Sequence, residues 1–312
     1  MNKTHVNSVV DPLCIRVSCT SVESYIRCVE YGKGKANVKV LYLLLRSILA
    51  GIFVGLCAHA ATVAGGLFYF HKLREYVGIS MSLFVYGFTF PIAFLSIVCT
   101  GADLFTGNTL AVTTAMLQRK ISIIQYARIM ATSLLGNYIG ATFFAFFISY
   151  ASGVFKEYDD VSKNHLFQFL NDIAVKKVSH NYISCIALAI GCNLFVCLAL
   201  YFIISIKDGS GIIFGAFFAV YAFAIAGYEH IIANIYTLNI ALMANTKVTF
   251  YEVYIKNLIP TLIGNCIAGI VFLAIPLFIL YRKNYDQYEN GEKEKNETVM
   301  KSISIENSLN EH

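Results

Sequence analysis

The stretch T-G-A-D-L-F-T-G-N at 100–108 interrupts one of the most apolar parts of the chain. The run before it, 79–99, is long enough to cross a bilayer, since a helical span needs about 20 apolar residues. The run after it, 109–117, is too short to span alone. Backbone at membrane depth must satisfy its own hydrogen bonds unless it is buried in protein or lines a water-filled cavity. An acid, two glycines and two hydroxyls placed there therefore predict a broken span at a transport site.

The break occurs twice. A-G-Y-E-H-I-I-A-N at 226–234 aligns Gly227 with Gly101, Glu229 with Asp103 and Asn234 with Asn108, each pair 126 residues apart. Downstream, Gly264-Asn265 matches Gly136-Asn137 at a spacing of 128; upstream, Lys177 matches Lys35 at 142. Four ordered matches with slowly drifting spacing indicate a duplicated half. Paired, interrupted apolar segments at corresponding positions point to the substrate site of a transporter.

The composition agrees. Of 312 residues, 57% are hydrophobic and 14% charged, against about 25% charged in an average soluble domain. An integral, all-α membrane protein follows. Residues 1–39 form a polar N-terminal arm in which no signal-peptide pattern is read. The transport domain covers 40–283, its repeat halves about 35–152 and 177–283, with spans at 41–64, 79–117, 121–152, 182–206, 212–244 and 250–281. The second and fifth are broken. The link at 65–78 carries His71, Lys72, Arg74 and Glu75; the one at 153–180 is the longest. Residues 284–312 are polar and poor in aromatics, and are expected to be a disordered tail. Three spans per half make the repeats inverted and put both termini on one side. Nine cationic residues flank the spans on that side and seven on the other, Lys163 among the latter, a slight excess favouring cytosolic termini. The net charge of +5 comes with no basic block, so no nucleic-acid partner is read. Six of the nine cysteines lie in apolar segments as small hydrophobes, and Cys14, Cys19 and Cys28 are expected to be free thiols without a metal.

At this point the residues resemble a family. F-T-G-N-T and Y-E-H-x-x-A-N in the breaks, with G-C-N-L-F-V-C-L at 191–198, look like the formate–nitrite transporter family over roughly 24–283. Y-G-F-T-F-P (86–91) and A-G-Y-E-H-I-I-A-N-I-Y-T-L-N-I-A-L (226–242) look most like its lactate/proton symporters. The resemblance implies an aquaporin-like six-span protomer, a homopentamer with one pore per protomer, cytosolic termini, and transport of small monocarboxylates with protons.

Several residues become candidates for the pathway. His230 is ionisable within an apolar segment, and such residues usually face a bundle interior or a water path; the resemblance makes it the central pore histidine, able to donate a hydrogen bond or pass a proton. Thr106 stands in the opposite break, with Gly107 tight beside it. Asn108 and Asn234 are expected to cap the half-helices that follow. Asp103 and Glu229 are expected to bond loop amides and hold each break in shape, and Glu229 is also a candidate to polarise His230. Lys35 and Lys177, at opposite faces by the inversion, would gather anions at each mouth. Asn193 is expected to face the pore. From sequence alone Phe90, Phe94, Leu104, Val196 and Phe223 are core; by resemblance they form two constrictions either side of His230. Gly209-Ser210-Gly211 looks like a serine-hydrolase fragment but lies in a charged turn, so no enzyme and no cofactor is expected.

The charge argument sets the expected mechanism. A carboxylate with a pKa near 4 costs about 4 kcal/mol to protonate at pH 7. Carrying the bare charge through a dry centre costs about 3 kcal/mol on insertion scales and over 10 in simulations. Lactate, formate, acetate or pyruvate would then pass as the neutral acid, in the plasma membrane or also a vacuolar one. The alternative is a passive anion channel; an aquaporin-like pore for water is disfavoured because no N-P-A motif stands at the breaks.

Overall fold

The computed structural model describes residues 17–69, 80–159 and 164–310, leaving aside the side chains of 293 and 295–310. The expected connection around His71, Lys72, Arg74 and Glu75, together with Cys14 and Lys163, lies outside the described residues. Among the described residues the regular secondary structure is helical apart from one isolated bridge between Ser18 and Ile206.

The first half begins in the polar arm. Thr20 and Glu23 form a capping box, each side chain satisfying the other's backbone N–H, and start helix α1 (Ser21–Ala36). It is amphipathic, burying Tyr25, Cys28 and Val29 and leaving Glu23 and Arg27 exposed. Helix α2 (Val40–Leu67) is the first span. The broken second span contains one more interruption than the sequence reading expected: α3 (Ser80–Thr89) and α4 (Ile92–Thr100) meet at Pro91, whose ring and missing N–H disrupt a helix interior. Helix α5 (Phe105–Leu117) completes it. Helix α6 (Ile123–Phe144) continues through a wide π segment (Ala145–Tyr150).

The second half repeats this order. Helix α7 (His165–Ser179) occupies the long link and is the counterpart of α1. Then come α8 (Tyr182–Ser205), α9 (Gly209–Ile225), α10 (Ile231–Met243), a π segment (Glu252–Leu258), α11 (Ile259–Ile267), a second π segment (Ala268–Ala274) and α12 (Ile275–Asn310). Five helical stretches are long and apolar enough to cross a membrane, and α9 with α10 supplies the sixth, broken passage. The protein is thus an integral membrane protein.

Small residues bring the spans together. A Cβ at Gly140 of α6 would stand 2.0 Å from the Ile48 carbonyl on α2, and one at Gly264 of α11 would stand 2.5 Å from the Ile186 carbonyl on α8. Close backbone approach through small residues is how helices pack where water supplies no hydrophobic force. The two short half-helices sit innermost: Phe105 to Ala115 and Ile231 to Ala241 are buried without a gap. Uncharged all round, with their polar side chains buried, they suit the protein centre rather than a lipid face.

From Asn284, where the composition alone predicts disorder, α12 is drawn as helix to Asn310. Its beginning is tied down. Tyr285 donates to Glu30, Asp286 accepts from Gln118 at 2.7 Å, and Glu289 pairs with Lys120 at 2.6 Å. Low hydrophobicity was therefore outweighed by polar contacts to α1 and to the turn after α5.

Candidate functional site

Each break is built the same way. After α4, Gly101 takes φ 70°, and after α9 Gly227 takes φ 70°, a left-handed turn that glycine adopts without a Cβ penalty. The chain then runs extended into Leu104 (φ −102°, ψ 122°) or His230 (φ −104°, ψ 120°), the residues that precede α5 and α10. One asparagine holds each bend. Asn137 accepts from Phe105 N–H at 2.8 Å and donates to the carbonyls of Asp103 (2.8 Å) and Ser47 (2.7 Å). Asn265 accepts from Ile231 N–H at 2.9 Å and donates to the carbonyls of Glu229 (3.0 Å) and Ala189 (2.8 Å). Sequence reasoning found these asparagines as a repeat match but gave them no task; their task is to satisfy buried backbone groups freed by the break.

The acids differ from expectation. Asp103 Oδ1 accepts from Lys35 at 2.5 Å, and Oδ2 from Asn108 (2.8 Å), Ser133 (2.5 Å) and Ser47 (3.4 Å). Glu229 accepts from Lys177 at 3.2 Å on each oxygen, and its Oε2 also from Asn234 and Asn257. The acids thus anchor lysines and amide side chains instead of the loop amides expected. Asn108 and Asn234 belong to these networks and do not cap the half-helices; the capping positions are Leu104, which has no side-chain bond, and His230. Lys35 and Lys177 reach the breaks from α1 and α7 with side chains only 14% and 13% exposed, so each is an ion-paired ammonium and not a free surface cation. For Lys35, burial favours the neutral amine, but the Asp103 carboxylate outweighs it and holds the ammonium above its ordinary range.

Between the breaks, Thr106 Oγ1 lies 3.1 Å from His230 Nε2. The backbone N–H of Ala233 donates to His230 Nδ1 at 3.2 Å. That bond assigns the tautomer: Nδ1 is the acceptor, so in the neutral ring Nε2 carries the hydrogen and donates toward Thr106. The Phe223 ring stacks on the imidazole at 5.7 Å. Among the described residues Glu229 accepts from Lys177, Asn234 and Asn257, and not from His230.

His230 stands at the junction of two cavities. One, about 260 Å³, is walled by Phe90, Phe94, Leu104, Val196 and Phe223. The other, about 610 Å³, opens toward α7 and is lined by Lys177, His180, Glu229, Asn234, Phe90 and Phe223. Phe90 and Phe223, whose rings meet edge-to-face at 6.0 Å, border both. Asn193 lines neither. It donates to Thr109 Oγ1 (2.9 Å), the Asn265 carbonyl (2.6 Å) and the Thr106 carbonyl (3.4 Å), bracing α5 from behind. A Cβ at Gly107 would meet only a Leu200 methyl, at 3.3 Å. His59, unremarked in the sequence reading, is bonded at membrane depth to Ser149 (2.9 Å) and Tyr236 (3.2 Å); a lone histidine in an apolar span was its signal.

Two inverted, broken spans that meet at a buried histidine, with an ion pair at each approach, define a membrane transport protein of the broken-helix class. The formate/nitrite transporter family model matches residues 22–279. The chain belongs to that family, which is one of transporters and channels. It is 67% identical over 306 residues to the formate-nitrite transporter of Plasmodium malariae, covering 98% of each chain. Among solved structures it resembles an FNT family ion channel (TM-score 0.71, 24% identity, 82% of this chain and 98% of that one). It also resembles a pentameric formate channel with formate bound (TM-score 0.62, 23% identity, 77% and 97%).

Proposed function

We propose that the protein carries small monocarboxylates, lactate with formate, acetate and pyruvate, across the membrane together with a proton, the substrate crossing the centre as the neutral acid. The observation that carries this reading is the chamber beside His230, walled by Phe90, Phe94, Leu104, Val196 and Phe223. Nothing in that wall compensates a charge, so about 4 kcal/mol for protonation at pH 7 is the smaller cost beside the transfer of a bare anion. Lys35 and Lys177 draw the anion to either approach, and His230 Nε2–H offers one hydrogen bond at the centre. His230 does not relay the proton in this arrangement, because a relay needs Nδ1 to accept one and the Ala233 N–H already occupies it. The proton is taken up outside the constrictions.

By the same reading the protein is a homopentamer in the plasma membrane, or also a vacuolar one, with cytosolic termini and a pore in each protomer. A second reading, a passive channel for formate or nitrite, draws on the likeness to a formate channel. Uptake into proteoliposomes separates them: an inward proton gradient should accelerate lactate uptake several-fold and drive it above equilibrium. Indifference to the gradient would leave the channel. His230→Asn keeps a capping acceptor and a donor, and should transport with the wild-type pH profile. A flattened profile would make the imidazole the proton carrier.

A further inference from the structure

The two approaches to the pore follow one plan, and the departures from it cluster at the α7 end. At the α1 end, Lys35 bridges Asp103 Oδ1 and Asn108 Oδ1, both at 2.5 Å. At the α7 end, Lys177 instead sits on both oxygens of Glu229 at 3.2 Å. The matching acceptor, Asn234 Oδ1, is fully buried, belongs to a residue lining the 610 Å³ cavity, and has no hydrogen-bond partner among the described residues. A buried acceptor left empty is costly, so a second position of the Lys177 ammonium, the one its repeat partner already occupies, has a ready acceptor.

The same spacing of 142 that aligns Lys177 with Lys35 aligns His180 with Val38 and Lys176 with Gly34. At these aligned positions the α7 end therefore carries an imidazole where the α1 end carries Val38: His180 Nε2 stands 4.0 Å from Glu229 Oε1. Glu229 Oε2 is saturated by Lys177, Asn234 and Asn257, while Oε1 receives Lys177 alone and has room for a second donor.

We propose that His180 is a proton-binding group of this mouth that shifts Lys177 between two positions, so that capture of a carboxylate and arrival of a proton favour each other. This rests on the proton-coupled reading above. With the ring neutral, Lys177 is held on Glu229. A proton from solvent makes an imidazolium that closes on Oε1. Lys177 then keeps one contact to Glu229, takes Asn234 Oδ1 as Lys35 takes Asn108, and turns a free N–H toward the cavity for an incoming carboxylate. His180 faces Lys176 and Lys177 on α7, Glu229 and Tyr228 in the break, and Tyr86 across the cavity. On its other side stand Tyr182, Lys247, Glu252 and Lys256. Glu252 is itself engaged by Lys256 at 3.2 Å. By linkage, the factor by which a bound anion favours the proton is the factor by which the bound proton raises the anion's affinity.

The test uses the full chain in proteoliposomes of defined orientation, with equal pH on both sides and formate presented at the α7 face. Wild type, His180→Gln and His180→Val are compared at pH 5.5 and 7.5. The ratio of variant to wild-type KM cancels the ordinary protonation of the substrate. It should be near one at pH 7.5 and about fivefold at pH 5.5, the effect of one nearby charge in a partly solvated mouth. Vmax should stay within about twofold, and formate presented at the other face should give a ratio near one at both values. Val38→His should confer the same acid-dependent KM on the α1 face. A ratio unchanged between the two pH values for both His180 variants overturns the proposal. Failure of the proton-coupled reading appears separately, as wild-type uptake indifferent to a proton gradient.

Discussion

Replacing Asp103 by Asn tests whether the ion pairs at the breaks hold the fold together as well as collecting substrate. The carboxylate is 3% exposed and its partner Lys35 14%. Removing one member of a buried pair costs about 3–5 kcal/mol, because the other charge stays behind. Lys35 retains Asn108 Oδ1 and a little solvent, which places the Coulomb part near 3 kcal/mol by that range. The new amide adds a steric-neutral but chemically wrong group. Asp103 Oδ2 accepts from Asn108, Ser133 and Ser47 while Oδ1 accepts from Lys35, so either orientation of the amide sets its N–H against a donor, for about 1 kcal/mol more. At about 2–4 °C per kcal/mol for a domain of this class, the midpoint of thermal unfolding should fall by about 8 °C or more. Lys35→Met should cost only about half as much, since the carboxylate keeps its other donors. Asp103→Asn with Lys35→Met should be more stable than Asp103→Asn alone, because the uncompensated ammonium is gone. The readout is the melting midpoint of the purified protein in detergent, followed by monodispersity. If Asp103→Asn melts within about 2 °C of wild type, or if the two single losses simply add in the double variant, the pair does not brace the break and the reasoning fails.

Further outcomes follow from the same geometry. Asn137→Ala and Asn265→Ala each strip three hydrogen bonds from a bend and should destabilise by a similar amount, about 3 kcal/mol, read as matched drops in melting midpoint; a large asymmetry would contradict the equivalence of the two breaks. Gly101→Ala keeps open space around the new methyl but strains the φ of 70°, so a loss of about 1–2 kcal/mol is expected, with Gly101→Asn milder; an unchanged melting curve for the alanine variant would refute it. Burial pushes the Cys28 thiol up to about 12, so maleimide at pH 7.5 should leave it unmodified in the folded protein while the half-buried Cys19 reacts, as peptide mass mapping would record.

What the sequence determined by itself was the plan of the repeat. The apolar runs set the spans, and the matched Gly101/Gly227, Asp103/Glu229 and Asn108/Asn234 pairs located both breaks, because glycine and buried polar groups inside an apolar segment have few other uses. What it did not determine was which polar group meets which. Asn108 and Asn234 read as caps because a local rule favours Asn before a helix, yet Lys35 of α1, distant in sequence, claims Asn108, and Asn234 donates to Glu229 and to the distant Asn257. Asn193 read as pore-lining because it is polar in a span, but the packing of α8 against α5 turned it to the Thr106 carbonyl. The tail read as disordered from its composition, and contacts to Glu30, Gln118 and Lys120 made its start helical. The difference between Lys35 on two acceptors and Lys177 on one acid appears only in three dimensions. In each case a hydrogen bond between residues far apart in the chain outweighed a local preference of about 1 kcal/mol, and only the tertiary structure decides which such bonds form.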